Sequence, residues 1–190
     1  MNSTVIDHPA ETELFDDTLS CELSLPVEFQ AGAQLQRPGS SEMLLRSIAL
    51  VEDARSTDDG SDERGDTSLQ LQRLEARLDL TLVLLGRLLQ RDAPAAAATP
   101  LRWSRLGLRL QRTQLAGYAA GTKGIVQLQP AEWLPDQIEL PVMVLAEAAT
   151  AQGVQLWLKL DTQNEALLAA VERHLFRVHR KQIADSRRNR

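Results

Sequence analysis

The sequence predicts an α+β protein: a small antiparallel barrel or sandwich of short strands, interrupted by a helical insertion and closed by a helix. Three observations predict it. Leu19, Cys21, Leu23, Leu25, Val27 and Phe29 alternate with mostly polar neighbours, the period-two pattern of a half-buried strand. Residues 67–92 then carry apolar side chains seven apart in two offset series, the period of associating helices. From residue 101 onward the texture returns to short alternating segments separated by Gly and Pro.

Taken in order, residues 1–17 are polar and acidic, and are expected to be disordered or loosely attached. The first strand region spans 18–36; Pro26 inside it suggests an edge position or a bulge. Pro38-Gly39-Ser40-Ser41 reads as a helix start with Ser40 or Ser41 as cap, and Met43, Leu44, Ile48 and Val51 follow at helical spacing. An acidic, Gly-bearing loop covers 56–66. In the heptad segment Leu71, Leu78 and Leu85 form one series, and Leu74, Thr81 and Leu88 the other, with Leu82 and Leu89 on a second face. Such a stripe is wider than a two-stranded seam needs, so it fits a bundle of more than two helices. Thr81 among leucines is a candidate register-setting residue. The helical module is therefore placed at 38–92 and assigned to oligomerisation, with a small-residue linker at 93–100.

Residues 101–180 hold the remaining strands, "LRWSRLGLRLQ", "GIVQLQ", "QIELPVMVLAEA" and "GVQLWLKL". A last helix over 163–180 follows, capped by Asp161-Thr162-Gln163, with Leu167, Leu168, Val171, Leu175 and Val178 facing inward. The end, 181–190, is a basic tail: six Arg or Lys stand against one Asp between 177 and 190.

Composition narrows the function classes. The chain has 190 residues and a formal charge of −5, so no global field invites nucleic acid or anionic membrane. No apolar run approaches the roughly 20 residues that span a bilayer, and the start lacks the pattern of a signal peptide. One cysteine, Cys21, leaves no intrachain disulfide and no Cys-based zinc site; the cytoplasm is the default compartment. His174 and His179 are five apart rather than four, which does not suit a metal on a helix, and they are read as lining the basic helix. "GYAAGTKG" (117–124) lacks phosphate-loop spacing and is read as a hairpin turn. Trp103, Trp133 and Trp157 are read as barrel core or rim. Hydroxyl, His and acid residues do not cluster as a nucleophile and its base require, so no enzyme is expected.

The second half resembles a PilZ domain, the bacterial barrel that reads c-di-GMP. The residues that carry the resemblance are Ser104-x-x-Gly107, the turn at Gly124 entering "IVQLQ", the strand "IELPVMVLAEA", and "GVQLWLKL" before a terminal helix. With its helical insertion and the end "VERHLFRVHRKQIADSRR" (171–188), the chain is similar to the atypical tetrameric PilZ subfamily of xanthomonads over roughly 19–188. The resemblance implies a PilZ-like antiparallel six-stranded β-barrel with inserted long coiled-coil helices and a C-terminal helix. It also implies a homo-tetramer joined through those helices, and a protein partner in c-di-GMP, pilus or motility signalling.

PilZ domains read their ligand with R-x-x-x-R near the first strand and D/N-x-S-x-x-G on the next. Here the first strand has no arginine before Arg37, and Arg102 stands where the acid or amide would be. Two R-x-x-x-R strings, Arg73…Arg77 and Arg87…Arg91, fall on the heptad helix and read as its solvated face. A guanidinium has donors only and cannot accept from guanine. Arg102, Ser104 and Gly107 therefore form a degenerate ligand motif, with Ser104 and Gly107 kept for turn chemistry. The expected function is a non-enzymatic regulatory scaffold of c-di-GMP-linked motility or virulence, without cofactor or metal, binding c-di-GMP weakly or not at all. Two alternatives stand beside it. One is a genuine c-di-GMP receptor, clamped by Arg102, Arg105 or the tail. The other is a coiled-coil adaptor for another protein.

Overall fold

The computed structural model describes residues 8–37, 39–57, 70, 74, 77, 78, 80, 81, 97–131, 134 and 136–188. The alternating segments form strands β1 (Ser20–Ala31), β2 (Ala98–Ser104), β3 (Gly107–Arg112), β4 (Lys123–Leu128), β5 (Ile138–Thr150) and β6 (Gly153–Leu160). Every neighbouring pair is antiparallel, and the sheet closes on itself in the order β1-β2-β3-β6-β5-β4. Closure leaves no free sheet edge. Pro26 accordingly sits on neither an edge nor a bulge but at a handover. β1 pairs with β2 as far as Pro26 and with β4 from Val27 onward, so the missing N–H falls where the ladder changes partner.

Strand parity sends Cys21, Leu25, Val27, Phe29, Leu101, Trp103, Leu108, Leu110, Leu156 and Leu158 into one buried core. Helix α2 (Ser40–Thr57) adds Leu44, Leu45 and Ile48 to that core, and α3 (Glu165–Arg188) adds Leu167, Ala170, Val171 and Leu175. Met43, one of the apolar residues at helical spacing, is 65% exposed, and Leu45 is buried beside Leu44 and Ile48. Ser41 does not cap α2. Its hydroxyl accepts from Glu139 N and donates to Glu139 O, 2.8 and 2.9 Å, and so pins the helix start to β5.

The cap of α3 is Asn164, whose Oδ1 accepts from Ala166 N and Leu167 N, one residue beyond the expected stretch. α3 runs on to Arg188, so the basic end expected as a tail is helical there. His174 does not line a basic surface. It is buried against Trp103, with ring centroids 5.6 Å apart, and its Nε2 lies 3.2 Å from Pro130 O.

Three further expectations differ. Residues 98–100, placed in a linker, open β2, because their outward positions still pair with β1. Residues 117–124 do not form a hairpin turn. β3 and β4 are not neighbours in the barrel, so 117–122 belong to a crossover loop and 123–124 open β4. Glu147 holds that loop by accepting from the N–H groups of Ala116, Gly117 and Tyr118. Burial pushes the Glu147 carboxyl up, but these three donors and Arg112 outweigh it and hold the carboxyl below its ordinary range. Finally, Pro9–Phe15, within the stretch expected to be loose, forms a helix, α1, that lies on the outside of the barrel.

Candidate functional site

The strand pair β2–β3 places its chemistry by parity. Leu101, Trp103, Leu108 and Leu110 point in, so Arg102, Ser104, Gly107 and Arg109 belong to the outer face. The ladders extend this outer row to Glu22 beside Arg102, Arg109 beside Arg102, and Trp157 beside Arg109. Two guanidinium groups and an indole thus stand side by side on one surface.

Helix α1 covers that surface. Pro9 opens it, where a missing N–H costs nothing, and His8 caps it through Nδ1, which accepts from Ala10 N at 3.1 Å. Its carboxylate Glu11 is buried and receives three donors: Arg102 at 2.8 Å, Arg109 at 2.6 Å and Trp157 Nε1 at 2.7 Å. The His8 ring stacks on Trp157 with centroids 4.3 Å apart and planes 13° from parallel. Arg102 also lies over the Phe15 ring at 4.5 Å. Ala10, Leu14, Phe15 and Trp157 make a small apolar cluster separate from the barrel core. At the edge of the seat Lys159 pairs with Glu13 at 2.7 Å. Chemically this is an anion-and-ring site, and the chain's own helix fills it.

Ser104 and Gly107 serve this arrangement. The Ser104 hydroxyl accepts from Leu106 N and Gly107 N across the tight turn, and it donates to Leu14 O at 2.7 Å, so it ties α1 to the hairpin. Gly107 does not need left-handed backbone. It is required by close approach: a Cβ there would collide with the Leu158 carbonyl and lie 2.9 Å from Leu14 Cδ2. Turn chemistry accounts for Ser104, whereas Gly107 answers to crowding between β3, β6 and α1. Arg105, the other arginine of the turn, reaches Glu172 of α3 at 3.3 Å.

Of the heptad positions, Leu74, Leu78 and Thr81 are described and helical; Leu71, Leu82, Leu85, Leu88 and Leu89 lie outside the described residues. Leu74 and Leu78 are 56% and 54% exposed, while Leu80 between the two series joins the barrel core. The Thr81 hydroxyl donates to Arg77 O at 2.7 Å, within its own helix. Of the R-x-x-x-R strings only Arg77 is described; Arg73, Arg87 and Arg91 lie outside, as does Trp133. Among the described residues no group of three or more His, Cys, Asp or Glu is placed to hold a metal, and no helix is long and apolar enough to cross a membrane.

Sequence reasoning missed Glu11, Arg109 and the outward role of Trp157. A signal was present in "LWL": Leu156-Trp157-Leu158 breaks the alternation of β6. A run of apolar residues in a strand means that both faces are covered.

A closed six-stranded antiparallel barrel with a Ser-x-x-Gly turn on its outer face and a helix closing the core is the architecture of PilZ receptor domains. The family described as "Atypical PilZ domain, cyclic di-GMP receptor" matches residues 45–188, and the chain belongs to it. A crystal structure from Xanthomonas campestris is 47% identical and superposes with a TM-score of 0.75, covering 92% of this chain and 96% of that one. It is described as a pathogenic protein with a new tetrameric PilZ domain, self-assembled via an unusual helical bundle. No curated protein matches the chain.

Proposed function

We propose that this chain is a non-enzymatic scaffold of c-di-GMP-linked regulation, acting in the cytoplasm, which assembles through its heptad helix and does not itself use c-di-GMP. One observation carries the reading. Arg102 occupies the position of the guanine-reading acid, and the surface around it is filled by Glu11, held between Arg102 and Arg109 beneath Trp157. A ligand would have to displace a buried, triply bonded carboxylate before it could bind. Arg105, a substitute clamp, is engaged with Glu172.

Assembly is supported by Leu74 and Leu78, which stay largely exposed in the single chain while Leu80 of the same helix is buried. Leucines left in water at this spacing call for a partner helix. The tetrameric relative makes a second copy of this chain the natural partner, with four chains per assembly. Leu71, Leu74, Leu78, Thr81, Leu82, Leu85, Leu88 and Leu89 form the seam, and a protein of c-di-GMP, pilus or motility signalling is the downstream contact.

A second reading is favoured by the same arginines. Arg102, Arg109 and Trp157 together have the chemistry to hold a phosphate and a base, and the family is described as a c-di-GMP receptor. Calorimetric titration of c-di-GMP into the full chain separates the two. The scaffold reading expects no saturable heat, and binding at low-micromolar ligand contradicts it.

A further inference from the structure

Helix α1 behaves physically as a ligand tethered to the barrel. The barrel's hydrogen bonds close without it, and its apolar contacts form a cluster apart from the main core. It is seven residues long, too short to hold helical structure on its own, so it is helical because it is docked. The seat it occupies has the composition of an interaction hot spot, a buried Trp at the end of a row with two arginines. The charges are complementary: Glu11 and Glu13 on α1 face Arg102, Arg109 and Lys159 on the barrel. We propose that this seat is an exchangeable dock for a short acidic helix of a partner protein, with the pattern Glu-x-x-apolar-apolar that α1 carries in Glu11, Leu14 and Phe15. α1 fills the seat in cis, and a partner helix of the same pattern replaces it. The carboxylate enters the paired guanidinium groups and the indole N–H, and the two apolar residues cover Trp157 and the Gly107 surface. The dock rests on the scaffold reading, since c-di-GMP held by Arg102, Arg109 and Trp157 would compete with a helix for the same seat.

The test uses a fluorescein-labelled peptide with the sequence of residues 8–19 and the full-length chain, read by fluorescence anisotropy. A chain carrying Glu11→Gln and Phe15→Ala loosens the cis helix. It is expected to bind the peptide saturably, at least about tenfold tighter than the wild-type chain, whose own α1 competes. A peptide with the glutamate changed to glutamine, or a loosened chain that also carries Arg109→Gln, is expected to lose at least about tenfold in affinity. Absence of saturable binding to the loosened chain overturns the proposal, as does binding indifferent to the glutamate. If neighbouring copies fill the open seats instead, the peptide stays free and the mass in light scattering rises with concentration, which also overturns it. Should the loosened chain fail to fold, hydrogen exchange on the wild type decides. α1 amides that exchange through local opening, well before those of β3 and β6, support the dock, and exchange only with global unfolding rejects it.

Discussion

Glu11 lies 91, 98 and 146 residues from Arg102, Arg109 and Trp157, the groups that bind it, so no window of sequence contains the site. Arg102 was legible only as a donor, because a guanidinium cannot accept a hydrogen bond wherever it stands. Its partner Glu11 was not, since that depends on the tertiary path of α1. The same holds for His174. Helical spacing is compatible with either face, and only packing against Trp103 decides. Burial lowers the pKa of His174 to about 4, with Arg177 adding to the effect and the contact to Pro130 O opposing it.

The ring is therefore neutral in the folded chain, while the unfolded chain takes a proton at the ordinary value near 6.5. Its contribution to stability is complete above about pH 6.5 and is lost as pH falls from there toward 4. The full loss is of the order of 3 kcal/mol. Denaturant midpoints of wild type and His174→Gln, measured between pH 7 and pH 4, are expected to converge as pH falls. A constant gap between them refutes the assignment. Gly107→Ala tests crowding in the same way. It is expected to cost about 1–3 kcal/mol in denaturant unfolding, because the new methyl meets backbone rather than a movable side chain. A substitution without cost means that β3 and β6 are not in such close contact.

At the scale of elements, period-two segments translated well into strands, because one face of each is solvated or lightly covered and the other is core. The exceptions share a cause. β6 carries apolar residues on both faces because α1 shields its outer side, and α1 itself is too short to show a period. The stretch 117–124 was misread because its glycines signal a turn but not which strands it joins. The heptad segment was visible as a pattern, and Leu74 and Leu78 in it are exposed in the single chain. Changing Leu74 and Leu78 to Asp adds charge where the single chain already exposes them, so the fold is expected to persist. Multi-angle light scattering on that double variant is expected to give a smaller species than the wild type. An unchanged mass refutes assembly through this helix, and a wild type that runs as a monomer refutes assembly altogether.

At the scale of the molecule, two surfaces divide the work. The barrel holds its core with strands from both ends of the sequence, α2 and α3 complete that core, and Leu74 and Leu78 are exposed where the proposed seam to other copies runs. On the outer face of β2, β3 and β6 the chain's own acidic helix sits on Arg102, Arg109 and Trp157. The central claim is that this filled seat leaves c-di-GMP without a site. Titration calorimetry of c-di-GMP into the full-length chain at physiological salt tests it most directly. No saturable heat at ligand concentrations well above the micromolar range is the predicted result. A one-to-one isotherm with low-micromolar affinity, abolished by Arg109→Gln, would contradict it.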